Sequence, residues 1–342
     1  MKIAIHLSAH KAFDDRWVKY CEQNSIPYKL VNAYDNNIMN QLTDCAAFMW
    51  HHHHGDYKDV LFAKQLLFSL EQAGKKVFPD FNTCWHFDDK VGQKYLLEAI
   101  AAPLVPSYVF YTREEAEVWI NSINFPKVFK LRGGAGSANV KLVNSRKEAL
   151  RIIKRAFGKG FSQYDWKEHL KEAWRKYKTG NAVLRDVLRP FYYAVKTHPT
   201  LFAKYKGNEK GYVYFQDFIP NNQFDIRVIV INNKAFAIKR FVRENDFRAS
   251  GSGIIKYEKQ DLDDRCVKIA FDVNVKMKAQ CIAYDFVFDK NNNPLIVEIS
   301  YGFSPFAYDA CSGYWDRNMN WHEGPFDPYG WMVETVIKNK QL

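Results

Sequence analysis

The sequence predicts an α/β and α+β protein, with an N-terminal Rossmann-like α/β domain followed by antiparallel hairpins interspersed with helices. Three observations carry the prediction. Across residues 2–78 short β-branched strands alternate with helical stretches, the pattern of parallel strands joined by crossovers. Residues 127–143 read strand, glycine loop, strand. From residue 212 onward, strands come in pairs joined by Asn-rich turns, as antiparallel hairpins do.

The first region begins with a strand at 2–7 and a helix at 13–24 whose Trp17, Tyr20, Cys21 and Asn24 recur at helical spacing. A strand at 27–32, a short helix at 36–44 and a strand at 45–50 follow. Residues 58–73 form an amphipathic helix with Val60, Leu61, Lys64, Leu67, Phe68 and Glu71 on one face, stopped by Gly74. A strand at 76–78 closes this domain, read as 1–87. In open α/β sheets ligands lie beyond the carboxyl ends of the strands. His6, His10, Asp14 and Asp15 follow the first strand and His51 to His54 the third, so both groups fall where a substrate would lie. Adjacent residues of an extended segment point to opposite faces, so at most two of the four histidines share one ion. Metal ligation, substrate contact and a solvated loop all remain open for them.

A helix at 88–101 carries Asp88, Asp89 and Lys90 at its start. A strand at 108–111 follows, then a helix to 121 opened by the capping box Thr112-Arg113-Glu114-Glu115. This connection is read as 88–122 and leads into a subdomain at 123–219. There the strand at 127–131 delivers Lys130 and Arg132 to a loop holding Gly133, Gly134, Gly136 and Ser137. Glycines let backbone N–H groups approach phosphate oxygens, and lysine adds a compact charge. The loop is not a Walker loop, because Gly-Lys-Ser/Thr is missing and a strand follows instead of a helix. A second capping box, Ser145-Arg146-Lys147-Glu148, opens a helix to 157.

The chain has 342 residues and a net charge of +11. Residues 151–210 hold 15 Lys and Arg against 5 Asp and Glu, a local net of +10 that accounts for nearly all of it. This basic stretch, about 158–210, includes a helical pattern at 166–178 with Lys167, Lys171, Arg175, Lys176 and Lys178. It reads either as a solvated helical hairpin or as a surface for a polyanion or an anionic membrane. No nucleic-acid motif accompanies it. Aromatics at 16% favour pockets that stack on rings. No run of 18 apolar residues exists, and the first residues turn polar too soon for a secretory signal. Six scattered cysteines suggest free thiols in a reducing cytosol, not a disulfide frame or a zinc site.

The final region, 220–342, begins with hairpin strands at 224–231 and 234–242 about Asn232-Asn233, after a strand at 212–219. A helix is expected at 260–273, and a second hairpin at 280–288 and 294–299. Residues 302–330, rich in aromatic and polar side chains, lack a period and read as a long loop suited to a sugar. The last helix is expected at 328–340. Pairing Asp289 with Pro294 across the second turn places Asp285 directly opposite Glu298, with Ser300 two residues on. Opposed like charges destabilise a strand pair, so a divalent cation is the natural compensation. Two carboxylates plus triphosphate oxygens is how magnesium is commonly held. Asp225 and Arg227 share a strand face, Lys239 and Arg240 follow on the partner strand, and Arg248 lies in the polar loop beyond.

These blocks together resemble the ATP-grasp superfamily, within it the branch of the ribosomal-protein glutamate ligase, over residues 88–304. The first block is Asp89-Lys90 with Lys130 and the glycine loop. The second is Gln216-Asp217-Phe218-Ile219 with Asp225-Ile226-Arg227 and Asp246-Phe247-Arg248-Ala249-Ser250. The third is Tyr284-Asp285-Phe286 with Val297-Glu298-Ile299-Ser300. The resemblance implies an ATP-grasp fold behind a Rossmann-like (pre-ATP-grasp) domain, with ATP and Mg2+ as cofactors. It implies Lys90, Lys130, Gly133, Gly134, Gly136 and Ser137 at the phosphates, and Gln216, Asp217, Phe218 and Ile219 at adenine. Asp285, Glu298 and Ser300 fall at the metal. Arg227, Arg248 and Lys239 are the catalytic candidates. The family commonly has Asn where Ser300 stands, and the basic stretch is an insertion.

The implied activity is an ATP-dependent carboxylate–amine ligase that forms an amide through an acylphosphate. The small-molecule carboxylate and amine are a sugar acid, an amino acid or a lipid-linked glycan, since the chain also resembles ATP-grasp proteins of bacterial surface-polysaccharide synthesis. Such an enzyme is expected in the cytoplasm, with peripheral contact at the inner membrane face. The alternatives are an amino-acid ligase acting on a peptide or protein tail and a non-catalytic ATP-binding regulator.

Overall fold

The computed structural model describes residues 2–8, 13–133, 139–162, 201–243, 246–249 and 253–337, with positions 170, 171, 173, 174, 177 and 183–188. The chain divides into two compact units. One joins residues 1–54, 58–105 and 219–342, and the other joins 55–57 and 106–218.

In the first unit β1 (Ile3–His6), β2 (Tyr28–Val31), β3 (Ala47–Met49) and β4 (Lys76–Phe78) form a parallel sheet in the order β2-β1-β3-β4. Helices α1 (Phe13–Gln23), α2 (Ile38–Gln41) and α3 (Tyr57–Gln72) connect these strands. The buried stripe of α3 is Asp59, Ala63, Leu67 and Leu70, whereas Leu61 is exposed. The expected face is therefore rotated. Asp59 turns inward because its carboxylate accepts from Tyr34 Oη and from His53 N, the latter at 2.6 Å. Two short caps follow. Asp80 accepts from Thr83 N (3.0 Å) to open α4 (Phe81–Cys84), and Asp89 accepts from Gly92 N (2.9 Å) to open α5 (Lys90–Ala99). The cap makes Lys90 the first helical residue.

His86, between these two helices, is fully buried. Burial, reinforced by the charge of Lys64, lowers its pKa to about 4. The backbone at Asn82 and the carboxylate of Asp89 oppose the shift. An unfolded histidine titrates near 6.5, so between about pH 6.5 and 4 the unfolded chain binds the extra proton. Stability at neutral pH is then expected to fall through this window by about 3 kcal/mol from His86 alone. Urea midpoints measured at pH 7 and 4.5 check this, and His86→Leu should flatten the dependence.

Residues 219–342 add a seven-stranded sheet. Its order is β13 (Pro294–Ser300), β12 (Cys281–Phe288), β9 (Phe224–Ile231), β10 (Lys234–Phe241), β14 (Gly313–Asp316) and β15 (Trp321–Glu323), with β11 (Ile255–Lys256) beside β10. Alternation along β9 splits the core. Ile226, Val228 and Val230 join a cluster with α9 (Asp264–Met277), while Ile229 and Ile231 join a second cluster with α1 and α10 (Pro328–Ile337). The expected helix at 260–273 is displaced to α9 because Asp263 caps it, accepting from Arg265 N at 2.9 Å, and a 3-10 turn occupies Lys259–Asp261. Lys278, in the left-handed region at φ 55°, ends it.

The stretch 302–330 is not the long loop expected. β14 and β15 form a hairpin that extends the sheet. Its turn is built by Asp316, which accepts from Asn318 N, Asn320 N and Asn320 Nδ2 and contacts His322. Phe303, Tyr308, Trp315, Tyr329 and Trp331 are buried. These five aromatics make core and present no ring face to a sugar. At the helix pair α1–α10, a Cβ added at Gly330 would lie 2.3 and 2.5 Å from the Tyr20 ring. Gly330→Ala is expected to cost about 1–3 kcal/mol through overpacking, readable as a lowered urea midpoint.

The second unit holds β5 (Ser107–Phe110), β6 (Lys127–Lys130), β7 (Val140–Val143) and β8 (Val213–Asp217), antiparallel in the order β5-β8-β6-β7. The strand read as part of a connection thus pairs with β8 and belongs to this sheet. Helices α6 (Arg113–Trp119) and α7 (Arg146–Ala156) start at the expected caps, Thr112 accepting from Glu115 N and Ser145 from Glu148 N. With Phe129, Leu131 and Phe215 they close its core. Beyond α7, α8 (Leu201–Lys206) leads to β8. Of the basic stretch, Lys167, Arg175, Lys176 and Lys178 lie outside the described residues.

Candidate functional site

The β9–β10 hairpin turns at Asn232, which takes φ 51°, so its register opposes Asp225 to Arg240, Ile226 to Lys239 and Arg227 to Ile238. The neighbouring β12 opposes Asp285 to Arg227. Directly opposed residues share a face, so Asp225, Arg227, Arg240 and Asp285 meet on one side of the sheet. Arg227 grips Asp285 with two parallel bonds, Nε to Oδ1 at 2.5 Å and Nη2 to Oδ2 at 2.6 Å. Arg240 grips Asp225 likewise at 2.7 and 2.6 Å, and its Nη2 also lies 3.0 Å from Asp285 Oδ1. Burial acts to raise the Asp285 carboxyl, but the guanidiniums of Arg227 and Arg240 overcome it and hold the pKa at about 2. Asp285 is therefore ionised throughout the neutral range.

Across β12 and β13, Asp285 stands directly opposite Glu298, and Ser300 opposite Ala283. The expected pairing of Asp289 with Pro294 does not occur. Phe288 pairs with Pro294, and a bulge after Asp285 leaves Val297 as the extra residue. The bulge shifts the register by one, which restores the Asp285–Glu298 opposition. Glu298 Oε1 lies 3.2 Å from the buried Nζ of Lys90. The opposed carboxylates are thus compensated by three cationic side chains, Arg227, Arg240 and Lys90.

The donor set fits a hard divalent cation. A carboxylate offers about four acceptor sites. Asp285 uses three on the arginines, and Glu298 uses one on Lys90. Ser300 donates its hydroxyl proton to Gly302 O at 2.9 Å, which leaves its oxygen lone pairs. Among the described residues no group of three or more His, Cys, Asp or Glu side chains is placed to hold an ion. Most positions around a cation here would therefore fall to water and a ligand's oxygens, as magnesium prefers.

One candidate lies away from the others. Lys239 points to the opposite face, the one packed on α9, and its Nζ lies 3.9 Å from the Phe224 ring centre. It is not placed with Arg227, because strand neighbours alternate. Arg240, its neighbour, stands on the face shared with Asp225 and Arg227. Its signal was legible: a two-residue turn at Asn232-Asn233 dictates the Asp225–Arg240 pair. Arg248 is tied to Asp246, with Nε 2.9 Å from both carboxylate oxygens and Nη2 2.7 Å from Oδ2. Ser250 lies outside the described residues.

The histidines after β1 and β3 are partly core. His6 Nδ1 accepts from Ala33 N at 3.0 Å, and His51 stacks on Phe13 with ring centres 3.8 Å apart. His52 is buried beside Phe87 and Tyr301. Burial and then the charge of Lys90 lower the pKa of His54 to about 4, so it is neutral at pH 7. His10 lies outside the described residues.

In the second unit, Lys130 Nζ donates to Gln216 Oε1 at 2.6 Å, and Gln216 Nε2 donates to Ser107 Oγ at 3.0 Å. Asp217 pairs with Lys127 at 2.6 Å. The unit ends at Phe218, and Ile219 begins the first unit's second segment. Gly133 N donates to Glu209 at 3.4 Å, while Gly134, Gly136 and Ser137 lie outside the described residues.

Residues 204–305, which carry Arg227, Arg240, Asp285, Glu298 and Ser300, match the RimK-like ATP-grasp domain. The chain has the ATP-grasp fold. The RimK domain ATP-grasp protein from Sphaerobacter thermophilus is similar over 99% of this chain and 100% of its own, at 14% identity and a TM-score of 0.57. N5-carboxyaminoimidazole synthetase from Staphylococcus aureus, solved in complex with ADP, is similar over 98% of this chain and 76% of its own, at 11% identity and a TM-score of 0.59. D-alanine–D-alanine ligase from Bacillus anthracis is similar over 98% and 96%, at 13% identity and a TM-score of 0.55. No curated protein matches the sequence. Among the described residues no helix is long and apolar enough to cross a membrane.

Proposed function

We propose that this ATP-grasp protein is an ATP- and Mg2+-dependent carboxylate–amine ligase that forms an amide through an acylphosphate. The observation that carries the reading is the Asp285–Glu298 opposition, inside residues 204–305 that match the RimK-like domain, with Lys90 3.2 Å from Glu298. In this reading Asp285 and Glu298, with Ser300 beside them, hold magnesium on the triphosphate, and Lys90 balances its charge. Arg227 and Arg240 keep Asp285 ionised and oriented. Lys130 and Gly133, with Gly134, Gly136 and Ser137, serve the phosphates, and Gln216 to Ile219 serve adenine. Arg248, with Arg227, offsets charge on the phosphoryl group in transfer. A carboxylate oxygen attacks the γ-phosphorus and ADP leaves. The amine then attacks the acyl carbon, loses a proton, and phosphate departs.

The acceptor class is the finer part of the proposal. A lipid-linked glycan or sugar acid of surface-polysaccharide synthesis, with peripheral membrane contact, draws its support from the +10 charge of residues 151–210. The buried aromatics of 302–330 give it none. A peptide tail is the second reading, favoured by the RimK-like match and by the same charge, which suits an acidic chain. The test is ADP release with Mg2+ and ATP across panels of amino acids, uronic acid sugars and acidic peptides, with products weighed by mass spectrometry. Release that requires one carboxylate–amine pair, with a product lighter than the two reactants by one water, supports the ligase. ATP binding with no turnover on any panel supports a regulator instead.

A further inference from the structure

β13 is the edge strand of the seven-stranded sheet, so one row of its backbone groups needs partners outside the sheet. The segment before β5 supplies two. Ile296 N donates to Pro103 O at 2.7 Å, and Val105 N donates to Ile296 O at 2.9 Å. At Ile299, next to Glu298, a side chain takes over: Gln93 Oε1 accepts from Ile299 N at 3.4 Å. The same amide is anchored at its other end, Nε2 donating to His86 O at 3.1 Å. Gln93 is buried, and it lies three residues after Lys90 on α5, hence on the same helix face. One face of α5 therefore meets β13 twice, through Lys90 at the Glu298 carboxylate and through Gln93 at the next backbone amide.

We propose that Gln93 is a positioning residue that fixes the Glu298 carboxylate, and Lys90 against it, for the metal–triphosphate. The inference rests on the reading of Glu298 as a metal ligand. Gln93 touches neither nucleotide nor metal and acts through the backbone of β13. Removing such an outer partner commonly costs 10–100-fold in metal affinity.

The test titrates Mg2+ against binding of the non-hydrolysable analogue AMPPNP by calorimetry, with urea midpoints measured in parallel. Gln93→Met keeps the volume and removes both hydrogen bonds; Gln93→Ala replaces it if the Met variant does not fold. Leu96→Ala, on the same helix and packed on the core, controls for loss of stability alone. We expect Gln93→Met to raise the Mg2+ concentration at half-saturation about 10-fold and to leave metal-free analogue binding unchanged, while Leu96→Ala lowers the urea midpoint without moving the Mg2+ requirement. An unchanged Mg2+ requirement in the Gln93 variant, or an equal shift in Leu96→Ala, overturns the proposal. Mg2+-independent binding by the wild type overturns the underlying reading of Glu298 itself.

Discussion

Glu298→Gln is expected to lower ATP-dependent ADP release by about a hundredfold or more while leaving the protein folded. In the proposed site the carboxylate is lost where positive charge is held against a triphosphate, and removal of one preorganised electrostatic group commonly costs 10²–10³ in rate. The stability cost is small for two reasons. The glutamine keeps an amide oxygen for the buried Lys90, and the Glu298 side chain is 32% exposed, so water can reach the site where the charge is lost. Steady-state ADP release alongside a thermal midpoint separates the two effects. A variant that loses activity only because it unfolds would contradict the assignment, as would one that keeps full turnover.

Asp285→Asn is expected to do the opposite to stability. Arg227 and Arg240 would share a single carboxylate, Asp225, in a buried setting. Breaking a buried, hydrogen-bonded ion pair by removing one partner costs about 3–5 kcal/mol, because the remaining charge is left uncompensated. The urea midpoint should fall accordingly, and turnover should be lost as well. The double variant Arg227→Met with Asp285→Asn restores charge balance with Asp225 and Arg240, and is expected to recover part of that loss. A double-mutant cycle with coupling below about 0.5 kcal/mol would show that the network does not act as a unit.

Much of this arrangement was legible in residue order wherever contacts are local. The Asn232-Asn233 turn gives the register of β9 and β10, and both capping boxes mark their helix starts. The Asp285–Glu298 opposition was reached from a turn pairing that does not occur; the bulge at Val297 cancels the error. A bulge has no signature in an apolar run such as Leu295, Ile296 and Val297, so the agreement owes nothing to the turn argument. Lys239 carries the right charge but stands on the other face from Arg227, because strand neighbours alternate. The β14–β15 hairpin was missed because its turn is made by Asp316 and the asparagines it binds, not by a Gly-containing dipeptide. The pairing of β5 with β8 joins segments about a hundred residues apart, and no local pattern encodes it. Gln93 and Tyr34 could not be singled out from sequence, since their roles come from where a helix or loop meets a distant backbone group or carboxylate.

Asp285 and Glu298 are proposed to hold a metal on a nucleotide triphosphate. Calorimetric binding of AMPPNP, with saturating Mg2+ and with EDTA, tests it without knowledge of the acceptor. The wild type is expected to bind at least tenfold more tightly with Mg2+, and Glu298→Gln to lose this difference. Equal affinity with and without Mg2+ in the wild type, or an unaltered Mg2+ dependence in Glu298→Gln, would contradict it.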